Sequence, residues 1–294
     1  MWPPPFVSML ESIIGEAVLT PNQRLEFLQK STLLRDDESD PGGRVYWGED
    51  GSKYFSVTRI LQATNPPEKQ KALERWLQSP GATMNRDTAA RRGTAAHAGA
   101  EFLLKVSKRL AMRSANKRNG YKTVQGLKRP YTAVFKWAVG KTLERVPPAP
   151  WGIAGYQRGL TNWIAQNVDG CFACEFSIYH DAGFAGTADA LLWLENPKTG
   201  RRGLHITDWK TTQSRNPELS YEQYSHQAGA YSLGLRQRAG LEADGAVIVL
   251  ARRSGAPLEH WLDRNELKAA EDAFLERCER FLKELPDPAA TQAA

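Results

Sequence analysis

Two aspartates interrupt apolar stretches in the middle of the chain. Asp189 lies within GTADALLWL and Asp208 within LHITDWKTT. Each carboxylate needs a compensating group, because an unpaired charge is costly to bury. If the stretches are strands joined by a turn centred between Lys198 and Thr199, the two aspartates are directly opposed, with Cβ atoms roughly 4.5 to 5.5 Å apart. Such a pair favours a divalent cation with oxygen ligands.

Lys210 follows Asp208 by two residues, so both side chains point to the same face of a strand. An ammonium group beside a metal can orient an attacking water, while the metal lowers the pKa of that water and neutralises charge developing on a phosphate. The backbone carbonyl of Trp209 could supply another ligand. The alternative is a structural Asp–Lys pair at the end of a strand.

His97 and Glu101 are four residues apart on a predicted helix and therefore share one face. The imidazole of His97 could complete a metal shell with Asp189 and Asp208. Magnesium prefers oxygen ligands to nitrogen, so manganese could also serve. A lone helical histidine is usually structural, but this one follows a basic segment that includes Arg91 and Arg92.

Two further patterns concern the same predicted site. Glu175 interrupts the apolar stretch CFACEFSIY and points either to this site or to solvent. Gln227 and Tyr231 are four apart on a helix, where they could hydrogen-bond a phosphate or hold Lys210. Tyr231 could equally be an ordinary core residue.

The surrounding periodicity predicts an α/β sandwich around a mixed sheet. An Asp-Gly turn joins short strands at Arg44–Trp47 and Lys53–Phe55. The other predicted strands cover 171–179, 187–194, 204–209, 247–250 and 258–261. The predicted helices cover 57–62, a segment through 73–77, 86–113, 130–143, 151–168, 220–238 and 265–285. Gly93 is a weak point of the third, where we expect either a break or a close backbone approach. Residues 114–128 are expected to form a basic loop.

Charge is concentrated between Arg86 and Arg145, where fifteen Lys or Arg and three acidic residues give a net charge of +12. A phosphate backbone would be attracted to such a segment, although a solvated helical face is an equally good interpretation. Aromatic residues in the same segment could stack on the bases of a single strand or could belong to the core. They are Tyr121, Tyr131, Phe135 and Trp137.

Composition excludes several classes of protein. Three cysteines cannot form a fully paired disulfide framework, no secretory signal is recognisable at the start, and no segment has about 20 consecutive apolar residues. We therefore expect a cytoplasmic protein without a membrane span. Because Cys171 and Cys174 lie in a predicted strand, no iron–sulfur cluster is expected. The chain also contains no P-loop pattern.

The motifs, in this order, resemble the RecB-like branch of the PD-(D/E)XK nucleases. They are Arg92-Gly93-Thr94 with His97, Gly186-Thr187-Ala188-Asp189, Asp208-Trp209-Lys210, and Gln227 with Tyr231. Four such motifs in order are far more specific than any one of them. Upstream, FSVTRIL followed by LERWL is similar to the entry segment of phage and mitochondrial genome maintenance exonucleases of this branch. Many relatives have Glu in the position of Asp208.

The resemblance implies a restriction-endonuclease-like fold and hydrolysis of DNA from ends. It implies metal ligation by His97, Asp189 and Asp208, with catalytic support from Glu175 and Lys210. Gln227 and Tyr231 would position the substrate, and we assign the same task to four residues of the basic helix: Arg91, Arg92, Thr94 and Glu101.

These inferences predict a magnesium-dependent DNA exonuclease that prefers single strands and acts beside recombination or replication proteins. The expected organisation is a tail or arm over 1–40, one nuclease domain over 41–286 and a disordered tail over 287–294. Within the domain, 56–168 would bind DNA and 169–286 would form the catalytic core. The alternatives are a catalytically silent DNA-binding accessory protein and a structure-specific endonuclease.

Overall fold

The computed structural model describes residues 19–30, 33–38, 40, 43–118 and 120–285. The helices are α1 (Pro21–Gln29), α2 (Val57–Ala63), α3 (Pro67–Leu77), α4 (Ala82–Arg118), α5 (Thr132–Leu143), α6 (Ala154–Asn167), α7 (Tyr221–Ala239) and α8 (Arg264–Lys283). The strands are β1 (Leu34–Asp36), β2 (Val45–Trp47), β3 (Lys53–Ser56), β4 (Tyr121–Val124), β5 (Leu127–Pro130), β6 (Gly170–His180), β7 (Phe184–Asn196), β8 (Arg201–Thr211), β9 (Gly245–Ala251) and β10 (Leu258–Leu262). The predicted strands are all confirmed, most of them with longer bounds.

A mixed sheet of eight strands forms the centre of the molecule, as predicted. Its path is β1-β2-β3-β7-β8-β9-β10, with β6 paired to β7. The pairs β3–β7 and β8–β9 are parallel and the others are antiparallel. The predicted register of the β7–β8 hairpin is confirmed from Asn196↔Arg201 to Ala190↔Thr207. The ladder ends one residue before Asp189 and Asp208.

The sheet forks along one edge of β7. Strand β6 pairs with β7 over nearly its whole length, so it occupies one edge. The other edge is shared: β8 pairs with residues 190–196, and β3 pairs with Phe184 and Ala185. Between these two partners, no strand of the described residues pairs with 186–189 on that edge. The gap leaves room for side chains and a ligand at the middle of the sheet.

Helices cover both faces of the sheet. One buried cluster joins the sheet to α1, α2, α7 and α8, and the other joins it to α4, α5 and α6. Phe176, Ile206 and Phe274 are fully buried in the first cluster, and Leu103, Phe135 and Trp163 lie in the second. Helix α8 begins at an Asp263 capping box, in which Glu266 completes the pair of hydrogen bonds. The result is the α/β sandwich expected from the periodicity.

Part of the predicted N-terminal tail or arm over 1–40 forms regular structure, namely helix α1 and strand β1. Thr20 forms a capping box with Gln23 at the start of α1. Leu25 and Leu28 of that helix are buried in the cluster on the α7 face. Strand β1 then extends the sheet, with Leu34 opposite Trp47. The sequence did not reveal α1 because polar residues surround its two buried leucines. Residues 1–18 and the expected tail at 287–294 lie outside the described residues.

Two expectations for the basic region are wrong. Helix α4 runs from Ala82 to Arg118 without a break at Gly93, because packing of its buried face outweighs the low helix propensity of a single glycine. There is no close backbone approach at Gly93 either, since a Cβ there would meet no described atom within 4 Å. Residues 114–128 complete this helix and begin the hairpin β4–β5, whose turn has positive φ at Gln125 and Gly126.

Among the described helices, none is both long and apolar enough to cross a membrane.

Candidate active site

The fork in the sheet contains a cavity of about 260 Å³. Its walls come from the central strands, from α4 and α7, and from the N-terminal elements β1 to α2. The predicted site residues that line it are His97, Glu175, Asp189, Asp208, Lys210, Gln227 and Tyr231. The structure therefore brings together seven residues spread over 135 positions of the chain.

His97, Glu175 and Asp189 form a compact group within this cavity. One ligand atom from each lies within 4.8 Å of those of the other two. His97 Nδ1 is 3.5 Å from Asp189 Oδ1, and Asp189 Oδ2 accepts a hydrogen bond of 2.6 Å from the backbone N–H of Trp209. Oxygen ligands stand about 2.3 to 2.6 Å from Ca²⁺ and about 2.0 to 2.1 Å from Mg²⁺. Small side-chain adjustments therefore suffice for all three residues to hold one cation.

An unusual backbone conformation places Glu175 in the group. Its φ is +49°, in the left-handed region that non-glycine residues rarely adopt. As a result the usual alternation fails: Cys174 belongs to the buried cluster on the α4 face, whereas Phe176 belongs to the cluster on the α7 face. Strain of this kind is stored preferentially at functional sites. Of the two directions that the sequence left open for Glu175, the structure has the one toward the cavity, which the side chain lines.

The electrostatics of the group favour a cation. Burial, followed by the charges of Asp189 and Glu101, raises the pKa of Glu175 to about 7. Burial raises the pKa of Asp189 as well, but His97, Lys210 and the Trp209 N–H together bring it below the usual value. The pKa of His97 is raised because its pairing with Asp189 outweighs burial. A bound cation would relieve the repulsion between the carboxylates.

Asp208 and Lys210 lie beside this group on β8. The Lys210 ammonium forms an ion pair with Asp208 Oδ2, an oxygen that is buried and accepts no hydrogen bond of good geometry. Although burial lowers the pKa of Lys210, the charges of Asp208 and Asp189 raise it above its usual value. The ammonium also stands 5.5 Å from the ring centre of Tyr224. Lys210 is thus charged and fixed beside the carboxylates.

Helix α7 closes the cavity with two polar side chains. Gln227 Nε2 donates a hydrogen bond of 2.7 Å to the Tyr231 hydroxyl. The Tyr231 ring reaches β7 because residue 186 is glycine: a Cβ there would stand 2.9 Å from Tyr231 Cε1. The glycine and the tyrosine of two separate sequence motifs are therefore in contact.

The other predicted site residues lie outside the cavity lining. Arg92 donates to Thr211 Oγ1 at 3.3 Å and stands over the Tyr156 ring. Glu101 pairs with Lys105, one turn beyond His97. Arg91 and Thr94 are exposed on α4, and the Trp209 side chain is buried. Among the proposed stacking residues, Phe135 is core, whereas Tyr131 and Trp137 are exposed.

Sequence reasoning missed one wall of the cavity. The structure places Arg35, Arg44, Tyr46, Ser56 and Thr58 there. Both arginines form ion pairs with Asp37, and Ser56 caps α2 by accepting from the Arg59 N–H at 3.1 Å. The entry segment FSVTRIL contains two of these residues, and it was the one available signal for this wall.

Comparison with protein families agrees with this geometry. The family model of the PD-(D/E)XK nuclease superfamily matches residues 73–293, about three quarters of the chain. The chain belongs to the PD-(D/E)XK nuclease superfamily. A search of curated proteins found no match. The match includes His97, all the carboxylates of the cavity and Lys210, but it begins after α2 and most of α3.

Membership makes this chain a nuclease-type hydrolase with DNA as the implied substrate, and superfamily members typically use divalent metal ions. The donors in the cavity fit such an ion. They combine one imidazole with two carboxylates whose ligand atoms lie within 4.8 Å of one another, next to the buried carboxylate of Asp208. Carboxylates suit magnesium and manganese, and the imidazole is better suited to manganese.

Proposed function

We propose that this protein is a metal-dependent DNA exonuclease that prefers single strands. The observation that carries the proposal is the convergence of His97, Glu175 and Asp189 beside the Asp208–Lys210 pair. If the Asp208–Lys210 ion pair were only structural, it would not need the three ionisable side chains of His97, Glu175 and Asp189 beside it. Five ionisable groups in one small cavity are better explained by a charged ligand and a reaction.

The proposed metal ligands are His97, Asp189 and Asp208, with the Trp209 carbonyl available at the same position of β8. Glu175 either joins the ligands or binds the water that they hold, because its carboxylate lies within reach of His97 and Asp189. Magnesium is the proposed ion and manganese a substitute. A bound ion would lower the pKa of a water molecule and neutralise charge on the scissile phosphate.

The side chains would divide the remaining work. Lys210, held by Asp208, would orient the attacking water and stabilise negative charge on the phosphate. Gln227 and the Tyr231 hydroxyl would hydrogen-bond a phosphate oxygen from the α7 side. Arg91, Arg92, Thr94 and Glu101 would position the strand along α4. Phosphate contacts of this kind carry no base preference.

Attack from ends is supported by two arginines that line the cavity. The charges of Arg35 and Arg44 suit a terminal phosphate. Single-strand preference is supported by exposed Tyr131 and Trp137 in the basic region. The RecB-like branch, and a role in repair, recombination or replication beside partner proteins in the cytoplasm, belong to the same proposal. So does the division into a DNA-binding part over 56–168 and a catalytic core over 169–286.

Digestion of three labelled substrates tests this function. Linear single strands, linear duplexes and circular single strands are incubated with magnesium, manganese or EDTA. We expect metal-dependent release of nucleotides from linear single strands, slower attack on duplexes and no cutting of circles. Cutting of circles would establish an endonuclease instead. Binding without cleavage under either metal would establish the DNA-binding accessory protein.

A further inference from the structure

An exposed tryptophan precedes α6. Trp151 exposes 95% of its surface, more than any other large hydrophobic side chain in the described part of the chain. It follows the run Pro147-Pro148-Ala149-Pro150 and precedes Gly152, whose φ is +85°. The turn closes with a hydrogen bond of 3.0 Å from the Ile153 N–H to the Pro150 carbonyl. We call residues 147–153 the Trp151 turn.

The turn is held in place by Gln157. Its amide donates to the Pro147 carbonyl at 2.9 Å, and its side-chain oxygen accepts from the Ala149 N–H at 3.1 Å. The same side chain lies against Gly99 of α4. Prolines on both sides of Ala149 further restrict the backbone. The indole is therefore presented to solvent by a rigid segment.

The turn lies at the end of β9, next to the active-site strand. Gly155 packs on the Arg253 carbonyl oxygen so closely that a Cβ would overlap it. Arg253 is two residues beyond Ala251, which pairs with Thr211 and accepts a hydrogen bond of 2.9 Å from Thr212. Two residues of extended chain span only about 7 Å. The Trp151 turn and the carboxyl end of β8, just past Lys210, are therefore neighbours.

The surface between them is basic. The segments 147–158, 211–217 and 251–258 contain four arginines and no acidic residue. Arg252 and Arg253 are exposed, and two hydrogen bonds from Arg252 to the Ala256 carbonyl, at 2.6 and 3.0 Å, fix their loop. Arg92 joins this surface to α4 through Thr211 and Tyr156. Cations around an exposed aromatic ring are complementary to a single-stranded polyanion with stacking bases.

We propose that Trp151 and Arg253 form a subsite for single-stranded nucleic acid beside the carboxyl end of β8, just past Lys210. One base stacks on the indole while Arg253 contacts a neighbouring phosphate. The proposal rests on the proposed function, since it assumes that the strand continues from the cavity past this end of β8. It explains why a large apolar side chain is displayed by a braced turn.

Binding of oligothymidylates of increasing length tests the subsite. Fluorescence anisotropy in EDTA is measured for wild type, Trp151→Ala, Trp151→Phe and the control Leu282→Ala, which removes an exposed large apolar side chain of α8. We expect Trp151→Ala to weaken binding of long oligonucleotides by about 5- to 100-fold, the range for loss of one base stack. Trinucleotides should bind all four proteins equally, and Trp151→Phe should stay close to wild type.

Arg253→Ala should reduce the slope of log binding constant against log salt by about one for long oligonucleotides. Equal binding of long oligonucleotides by Trp151→Ala and wild type would overturn the proposal, as would an equal loss for trinucleotides. The assay needs no catalysis. If neither wild type nor any variant cleaves DNA, but Trp151→Ala still loses binding of long oligonucleotides alone, the exonuclease proposal fails and the subsite stands.

Discussion

The β7–β8 hairpin and the N-terminal segment from α1 to α2 both border the cavity, but in different ways. The hairpin contributes Asp189, Asp208 and Lys210, which lie on two strands joined by a single turn. The N-terminal segment contributes Arg35 and Arg44, which reach the site through the parallel pairing of Phe55 with Phe184. The comparison indicates that the reactive groups are fixed by local strand geometry, whereas the substrate-facing wall depends on long-range assembly. Substitutions in the two regions should therefore fail differently.

The largest effect is expected in the hairpin. Lys210→Ala removes the ammonium that is held by Asp208 beside the proposed metal ligands. We expect the turnover number on linear single-stranded DNA to fall by about 10²- to 10⁴-fold, the usual contribution of a group that assists proton transfer. Gel quantification of labelled product measures this. Binding of DNA in EDTA should change far less.

Lys268→Ala is the matched control for that variant. Lys268 lies on α8, pairs with Asp272 and does not line the cavity. It should retain a turnover number near that of wild type. If Lys210→Ala cleaves as fast as Lys268→Ala, the catalytic role of the hairpin is wrong.

A core substitution in the N-terminal segment should act on stability. Leu28 of α1 is 1% exposed and belongs to the cluster on the α7 face. Leu28→Ala should lower the free energy of unfolding by about 2 to 5 kcal/mol, since it removes buried surface and leaves a cavity. Urea unfolding followed by tryptophan fluorescence measures the change. An unchanged midpoint would mean that α1 is not part of the folded unit.

The cavity wall itself should affect binding more than chemistry. Arg44→Ala removes one of the two arginines that face the cavity from the N-terminal side. We expect KM for linear single strands to rise by about 10-fold, which is the effect of losing one charge-assisted hydrogen bond. The turnover number should stay within about threefold of wild type. Arg201→Ala, which removes an exposed arginine at the start of β8 that does not line the cavity, is the control, and equal KM values for the two variants would remove Arg44 from the substrate path.

The smallest predicted effect is the pH dependence of stability that comes from His205 of β8. Burial lowers the pKa of His205 below its usual value of 6.5, although its Nδ1 bonds the Gly203 carbonyl at 3.0 Å. The unfolded chain therefore takes up a proton that the folded protein resists. Stability from this group is complete above pH 6.5 and declines as the pH falls through 6.5 toward the folded-state pKa.

His205→Asn should reduce the difference between the unfolding free energies at pH 7.5 and pH 5.5. Other histidines with lowered pKa, such as His226, leave part of the difference in place. Urea titrations at both pH values provide the measurement. A larger pH dependence in the variant than in wild type would contradict the assignment.

The sequence predicted what local periodicity and turn position determine. The register of β7 with β8 followed from one turn and the two-residue repeat, and the structure has that register. The direction of Glu175 stayed open, since a positive φ in a strand leaves no trace in a single sequence. Arg35 and Arg44 were missed because their role arises from β3 joining β7. The basic loop was mispredicted where α4 continues to Arg118.

Binding of Mn²⁺, followed by electron paramagnetic resonance, tests the central claim most directly. Wild type, Asp189→Asn and the control Asp244→Asn are titrated at pH 8, where Glu175, with a pKa of about 7, is ionised. Asp244 lies away from the cavity, where it accepts a hydrogen bond from the Leu204 N–H. The account predicts saturable binding by wild type and Asp244→Asn, and loss of that binding in Asp189→Asn. Equal binding by all three proteins would show that the fork of the sheet does not hold the metal.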